Sequence, residues 1–181
     1  MERLKRAALL ITLIDKLHEH GSWCGETHIQ KATYFFENVC HAPLKHEFIL
    51  YKHGPYSFDL CDELTSLRVD GLLRLVMRHP SYGPSFSVTE RGKQICEVFV
   101  QTVAKNQSKI DFVAKHLGNM GVVSLEKVAT ALYVIREKTE TDIENCADYI
   151  HKLKPHISIE AAISALKTTD AIITEAKMLT F

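Results

Sequence analysis

The feature that most constrains the fold is the Gly54-Pro55 step, which stands between a short apolar run at residues 48–51 and a helical pattern at residues 57–70. Proline lacks a backbone N–H and has a fixed φ, so it seldom occurs inside a helix or a central strand. The step therefore ends the strand-like run and predicts a new helix after it. Ser57 is the predicted N-cap of that helix, and Gly71 is its predicted end.

Two helices are predicted before this step. Apolar residues recur at helical spacing over residues 2–20, and Gly21 follows as a helix stop. Thr27 and Gln30 have the spacing of a capping box, in which two side chains satisfy free backbone N–H groups. That spacing predicts a second helix, which runs to about Asn38.

A β-hairpin and another helix are predicted after the helix of residues 57–70. Residues 72–77 and 86–88 are short strand-like runs around a Pro- and Gly-rich connection, which is typical of a hairpin. Thr89 then opens a helix to about Lys105. Helix, helix, strand, helix, hairpin, helix is the order of a winged helix-turn-helix domain, so we predict such a domain over residues 1–105.

Residues 106–181 are helical by pattern. Ser124 and Ser158 are predicted N-caps, and Pro155 ends a helix over residues 142–152. The last helix carries small and apolar side chains that permit close packing: Ala161, Ala162, Ile163, Ala165, Leu166, Ala171, Ile172, Ile173 and Ala176. We predict a mainly α fold: a winged helix-turn-helix core, a small β-hairpin wing and a helical C-terminal extension packed on it. A homodimer through the last helix is the alternative.

The charge and hydropathy of the chain limit the function classes. The chain has 22 Lys+Arg and 22 Asp+Glu, which does not favour a domain that grips phosphates non-specifically. The apolar run near the N-terminus ends at Asp15 and Lys16, and no stretch approaches the roughly 20 apolar residues that span a bilayer. We therefore expect a cytoplasmic protein without a membrane association.

Cysteine and histidine residues give no clear metal or catalytic motif. The five cysteines are scattered and lack a CxxC pair, which favours reduced thiols. Cys24, His28, Cys40 and His41 are the best metal candidates, but adjacent ligands such as the last two can seldom both bind one ion. The sequence also lacks P-loop, GxGxxG and HExxH motifs. We expect a non-enzymatic protein with no metal and no cofactor.

The helix of residues 57–70 has an acidic outward face. Leu60, Cys61, Leu64 and Leu67 form its predicted buried face. The predicted outward residues are Phe58, Asp59, Asp62, Thr65, Ser66 and Val69, with Glu63 and Asp70 beside them. Four carboxylates would be repelled by DNA phosphates, so this face predicts a protein-binding surface, against the alternative of an ordinary solvated helix. For Phe58, a core position beneath the Gly-Pro turn is favoured over an exposed one.

A modest basic cluster supports the competing hypothesis of DNA binding. Its members lie in and just after the predicted hairpin: Arg74, Arg78, His79, Arg91 and Lys93. A few phosphate contacts of this kind give weak, salt-sensitive binding. The same side chains also suit an acidic protein surface.

The segment YKHGPYS at residues 51–57 is followed by a helix and by DGLL at residues 70–73. These motifs resemble those of the winged-helix YwgA-like proteins and the related Panacea (SocA-like antitoxin) domain, and the resemblance covers roughly residues 5–170. SLEKVATALYVIRE at residues 124–137 is similar to the C-terminal helix of that family. The motif positions are Tyr51, Lys52, Gly54, Pro55 and Tyr56, whereas His53 departs from the aromatic residue that the family usually has.

The resemblance implies a function as well as a fold. Panacea-type members are antitoxins, so it implies an interaction module that binds and regulates a protein partner, with a toxin as one partner class. A winged-helix fold also implies the alternative, a DNA-binding transcriptional regulator that uses its hairpin wing. The family motif itself is expected to be structural, with its tyrosines packed over the Gly-Pro turn.

Overall fold

The structure is a computed structural model that describes residues 2–77, 83–137 and 142–179. The first elements are α1 (Arg3–Glu19), α2 (Glu26–Asn38), β1 (Ile49–Tyr51), β2 (Gly54–Tyr56), α3 (Phe58–Val69), β3 (Leu73–Val76) and β4 (Ser85–Val88). The remaining elements are α4 (Glu90–Val98), α5 (Val100–Ala104), α6 (Gln107–Leu117), α7 (Val122–Glu137), α8 (Ile143–Leu153) and α9 (Ile159–Met178). The predicted mainly helical class is confirmed.

Three predicted N-caps and two predicted helix stops are confirmed. Ser57, Thr89 and Ser158 each accept a hydrogen bond from the backbone N–H three residues later, at 3.0–3.2 Å. This bond satisfies one of the N–H groups that a helix leaves free in its first turn. Gly21 and Gly71 have φ values of 87° and 71°, the left-handed conformation that glycine adopts at helix ends.

Two predicted caps are wrong. Helix α2 begins after Gly25, which provides no side-chain cap, and the predicted capping box of Thr27 and Gln30 is absent because Gln30 binds the backbone of Ser57 instead. Ser124 lies inside α7, since the helix extends two residues further toward the N-terminus than its pattern suggested. In the first case a tertiary contact overrides a local preference.

The helix predicted from Thr89 to Lys105 is divided into α4 and α5. Phe99 separates them with φ −105° and ψ 31°, which is outside the helical region. The backbone N–H of Phe99 still donates to the carbonyl of Ile95 at 3.1 Å, so the chain turns without losing this hydrogen bond. Both helices pack against α1.

The described residues form two antiparallel hairpins. In the first, β1 pairs with β2, and Leu50 lies opposite Pro55. Proline is tolerated there because the strand is at an edge, but the sequence pattern treated the Gly-Pro step only as a break and missed this strand. In the second, β3 pairs with β4 with Leu73 opposite Val88, which confirms the predicted hairpin.

A single hydrophobic cluster extends from α1 to α9. Helix α1 packs against α4, α5, α6 and β4, and α2 packs against α6, α7 and β2. Helices α7, α8 and α9 pack on one another, so the small residues of α9, including Ala162, Ala165 and Ala176, are buried within the chain. The winged-helix topology and the domain boundary at residue 105 stay predictions.

None of the helices in the described residues has both the length and the apolar character needed to cross a membrane. The five cysteines are thiols, as predicted.

Candidate interaction surface

Helix α3 presents the side chains that the helical wheel predicts. Leu60, Leu64 and Leu67 are buried, whereas Cys61 is only partly so. The six predicted outward residues are all exposed: Phe58, Asp59, Asp62, Thr65, Ser66 and Val69. The leucines therefore fix the helix on the core and leave this face accessible.

An aromatic cluster lies at the start of α3 and consists of Tyr51, Tyr56 and Phe58. The ring centroids are 5.7 Å apart for Tyr51 and Tyr56, 5.9 Å for Tyr51 and Phe58, and 5.1 Å for Tyr56 and Phe58. Tyr51 is 53% exposed and Phe58 is 56% exposed. The preferred core position of Phe58 is therefore wrong, because its ring packs on two tyrosines at the surface rather than beneath the turn.

Ile49 extends the aromatic cluster along the first hairpin. It lies opposite Tyr56 in the register of β1 and β2 and is 48% exposed. Cross-strand pairs of this kind have their side chains on the same face of the hairpin. The exposed apolar surface therefore continues from α3 onto the hairpin.

Two lysines hold the hairpin from beneath. Lys31, from α2, is 1% exposed, and its ammonium group donates to the carbonyl oxygen of Pro55 at 3.0 Å. Lys154, which follows α8, donates to the carbonyl oxygens of Tyr51 and Lys52, the second at 2.6 Å. The first hairpin is thus attached through its backbone to α2 and to the residue after α8, which leaves the aromatic side chains outside.

The environment of these lysines is poor in compensating charge. Burial lowers the pKa of Lys31 to about 8, and burial also lowers the pKa of Lys154. Glu126 is the nearby carboxylate that favours the charged form of both. Its oxygens lie 3.0 Å from Nε2 of His156 and 3.5 Å from Nδ1 of His53. His53, which departs from the aromatic residue of the resembling family, therefore contacts this carboxylate. No sequence pattern marks Lys31, because lysine is almost never fully buried.

Gly54 allows the hairpin to approach α7. Its φ is 86°, and a Cβ atom added there would lie 3.1 Å from Oγ1 of Thr130 and 3.4 Å from the carbonyl oxygen of Glu126. A side chain at this position would be strained and crowded. The glycine of the motif is therefore required by the backbone conformation, as the structural interpretation of the motif predicts.

Helix α2 also fixes the start of α3. The side-chain amide of Gln30 donates to the carbonyl oxygen of Ser57 at 2.8 Å, and its oxygen accepts from the N–H of Ser57 at 2.9 Å. The hydroxyl of Tyr56 donates to Glu26 at 2.8 Å. These bonds set the direction in which α3 leaves the hairpin, and they join residues 27 and 30 positions apart, which local sequence patterns do not reveal.

The outward face of α3 is less acidic than predicted. Glu63 turns inward, where it binds Arg6 and His46, and Asp70 binds Arg3. Of the four carboxylates, Asp59 and Asp62 alone remain on the outward face without an ion pair within the described residues. The expected repulsion of phosphates is correspondingly weaker.

His46 joins three parts of the structure. Its Nδ1 lies 2.6 Å from Glu37 of α2, and its Nε2 lies 2.8 Å from Glu63 of α3. Burial alone would lower the pKa of His46, but hydrogen bonds with the two carboxylates outweigh burial and raise it to about 9. The pKa of Glu63 is lowered, because its contacts with His46 and Arg6 outweigh the opposite effect of burial. A charged imidazolium between two carboxylates therefore anchors α3.

The predicted basic cluster is divided between two elements. Arg74 is exposed on β3 and lines a shallow depression with Arg68 of α3. Arg91 and Lys93 lie on α4, and Lys93 is bound to Glu90 at 2.9 Å. The other two predicted members, Arg78 and His79, are outside the described residues.

Three of the candidate metal ligands, Cys24, His28 and Cys40, are buried within the fold. The ring of His28 bonds the carbonyl oxygen of Leu117 at 2.9 Å. Across residues 2–77, 83–137 and 142–179, no three His, Cys, Asp or Glu side chains form a group that could hold a metal ion.

No protein-family model and no curated protein matches the chain. The resemblance to YwgA-like and Panacea proteins stays a prediction.

Proposed function

We propose that this protein is a non-enzymatic interaction module that binds and regulates a protein partner, in the manner of an antitoxin. The docking surface consists of the aromatic cluster, Ile49 and the outward face of α3. The observation that carries the proposal is the exposure of Tyr51 and Phe58, whose rings pack together at the surface. Exposed aromatic groups within a polar rim are typical of interaction hot spots.

The rigidity of the surface supports the same proposal. The hairpin is attached to α2 and to the residue after α8 by buried lysines, and α3 is anchored by Gln30 and His46. A surface fixed in this way loses little conformational entropy when a partner binds. The aromatic cluster is therefore presented in one geometry.

The charges beside the aromatic cluster indicate the chemistry of the partner. Asp59 and Asp62 lie on the first turn and a half of α3, and neither carries an ion pair within the described residues. A partner segment with an apolar side chain flanked by Lys or Arg would complement them. Such a segment would place its apolar side chain on Phe58 and its cations near the two aspartates.

The test is a tagged pull-down from the host, with and without nuclease, that compares the native chain with the double variant Asp59→Lys and Asp62→Lys. We expect a stoichiometric protein that survives nuclease with the native chain and is lost with the variant, because two attractive contacts become repulsive. The matched control reverses Glu144 and Asp148, two exposed carboxylates on α8, and should retain the partner.

Equal recovery of the partner with the native chain and the α3 variant would contradict the proposed surface. Loss of the partner with the α8 control alone would contradict it as well, because the contact would then lie on the C-terminal helices.

A DNA-binding regulator remains the second candidate. It is favoured by Arg68 and Arg74, which line one depression and carry no ion pair within the described residues. In the samples of the same experiment that receive no nuclease, this function predicts recovery of a specific DNA segment. That segment should be lost with Arg74→Gln and retained with the α3 charge reversal.

A further inference from the structure

A cavity of about 660 Å³ lies where the N-terminal elements meet the C-terminal helices. It is surrounded by the loop between α1 and α2, the start of α2, one side of α3, the second hairpin and the loop between α6 and α7. Its volume is within the range of roughly 300–1,000 Å³ that small-molecule sites occupy. It adjoins the outward face of α3 at Thr65, which lines the cavity together with Cys61, Leu64 and Arg68.

The cavity is lined mainly by apolar side chains. They come from separate parts of the chain: Trp23, Leu64, Leu75, Phe86, Met120 and Val122. The indole N–H of Trp23 donates to the carbonyl oxygen of Gly83 at 3.0 Å, which fixes the ring beside the second hairpin. These side chains provide a surface for the apolar body of a ligand.

Among the described residues, four ionisable side chains line the cavity: Glu26, His28, Cys61 and Arg68. Glu26 accepts a hydrogen bond from the hydroxyl of Tyr56 at 2.8 Å. His28 bonds the carbonyl oxygen of Leu117, and burial lowers the pKa of its ring, so it is neutral at pH 7. Arg68 is exposed and has no ion pair within the described residues. Among the described residues, Arg68 is therefore the one guanidinium or ammonium group on this wall, and Glu26 is the one carboxylate, whose charge the neutral hydroxyl of Tyr56 does not cancel.

Two helix starts place backbone N–H groups at the cavity. Helices α2 and α7, of 13 and 16 residues, both begin at the cavity. Gly25 provides no side-chain cap to α2, and Gly121, which precedes α7, has no side chain to provide one. Free N–H groups at a helix start favour negative charge.

We propose that this cavity binds a small organic anion, with the apolar body of the ligand against Trp23 and its anionic group on Arg68. This site shares Thr65 with the proposed partner surface, whereas the aromatic cluster, Ile49, Asp59 and Asp62 lie outside the cavity lining. Arginine suits this role because its guanidinium binds carboxylate, sulfonate or phosphate oxygens through paired hydrogen bonds.

Trp23 provides a direct readout, because it is the only tryptophan of the chain. The experiment is a titration of the full chain with 1-anilinonaphthalene-8-sulfonate, an aromatic anion, followed by tryptophan fluorescence. N-phenyl-1-naphthylamine, which has the same aromatic body without the sulfonate, is the neutral probe. We expect saturable quenching of Trp23 at one site and a clear preference for the anion.

Arg68→Gln should weaken binding of the anionic probe about tenfold and remove the preference over the neutral probe. Arg91→Gln, which changes an exposed arginine outside the cavity lining, should bind as the native chain does. Gly121→Leu should reduce binding of both probes, because a side chain there meets no atom within 4 Å and can occupy the cavity mouth. Thermal unfolding checks that each variant is folded. If Gly121→Leu does not fold, the result for Arg68→Gln alone tests the proposal.

Three results would overturn the proposal. The first is the absence of saturable quenching, and the second is equal affinity of the native chain and Arg68→Gln for the sulfonate. The third is binding that is lost with Phe58→Ser instead, since the probe would then occupy the exposed aromatic cluster.

Discussion

His46 connects three helices through side-chain contacts, since Glu37 belongs to α2, Glu63 belongs to α3, and Arg6 of α1 binds the same Glu63. Removal of one partner from a buried ionic group leaves the others uncompensated, which is far more costly than the loss of a surface ion pair. The position of α3, and therefore of the proposed surface, depends on this residue.

We predict that His46→Gln makes the stability less dependent on pH. The pKa of His46 is raised from 6.5 to about 9, so its stabilisation is fully present below pH 6.5 and is lost as the pH rises through about 9. At about 1.4 kcal/mol per pKa unit, this contribution is about 3 kcal/mol. Urea unfolding from pH 6 to 10 should show the native chain and the variant converge as the pH rises.

The control for this prediction is His28→Gln. The pKa of His28 is lowered by burial, so its titration affects stability below pH 6.5 and not above it. Its curve should run parallel to the native one above pH 7. Parallel curves for His46→Gln over the same range would show that the imidazolium does not stabilise the fold.

At the scale of elements, local signals identify most helices but not their attachments. Ser57, Thr89 and Ser158 were predictable caps because an N-cap bond joins residues only three positions apart. The inward position of Glu63 was not predictable from a helical wheel, because Arg6 lies 57 residues away. The strand β2 was missed for a related reason, since its pairing with β1 outweighs the tendency of a Gly-Pro step to end a strand.

The exposed residues of the candidate surface were predictable from the sequence, but the contacts that hold the surface in place were not. A helical wheel identified the six outward residues of α3, because their exposure follows from helix periodicity and the buried leucines. The contacts of Lys31 and Lys154 with the hairpin were not predictable, because each depends on elements far apart in the chain.

The first hairpin should be sensitive to substitution of Gly54. Gly54→Ala combines a left-handed φ with a crowded Cβ, so we expect a loss of about 1–3 kcal/mol in the free energy of unfolding. Gly71→Ala is the matched control, because its φ is also left-handed but no atom lies within 4 Å of the added Cβ. Chemical denaturation should rank Gly54→Ala as the more destabilised, and equal losses would mean that the approach to α7 is not tight.

For the whole molecule, one continuous core extends from α1 to α9 and supports two adjoining faces of α3, which meet at Thr65. The outward face continues into the aromatic cluster, whereas the adjoining side, with Cys61, Leu64 and Arg68, lines the cavity. The C-terminal helices contribute to both, because Lys154 holds the hairpin and Met120 lines the cavity. Residues 106–179 are therefore part of the support for these sites.

The most direct test of the account is the affinity of Phe58→Ser for the protein partner captured by the native chain. A truncated hot-spot side chain typically costs about 2 kcal/mol, so we predict binding roughly thirtyfold weaker with unchanged thermal stability. Val98→Ser, which removes a more exposed apolar side chain on α4, should bind as the native chain does. An affinity for Phe58→Ser equal to that of the native chain would contradict the assignment of the aromatic cluster as the docking surface.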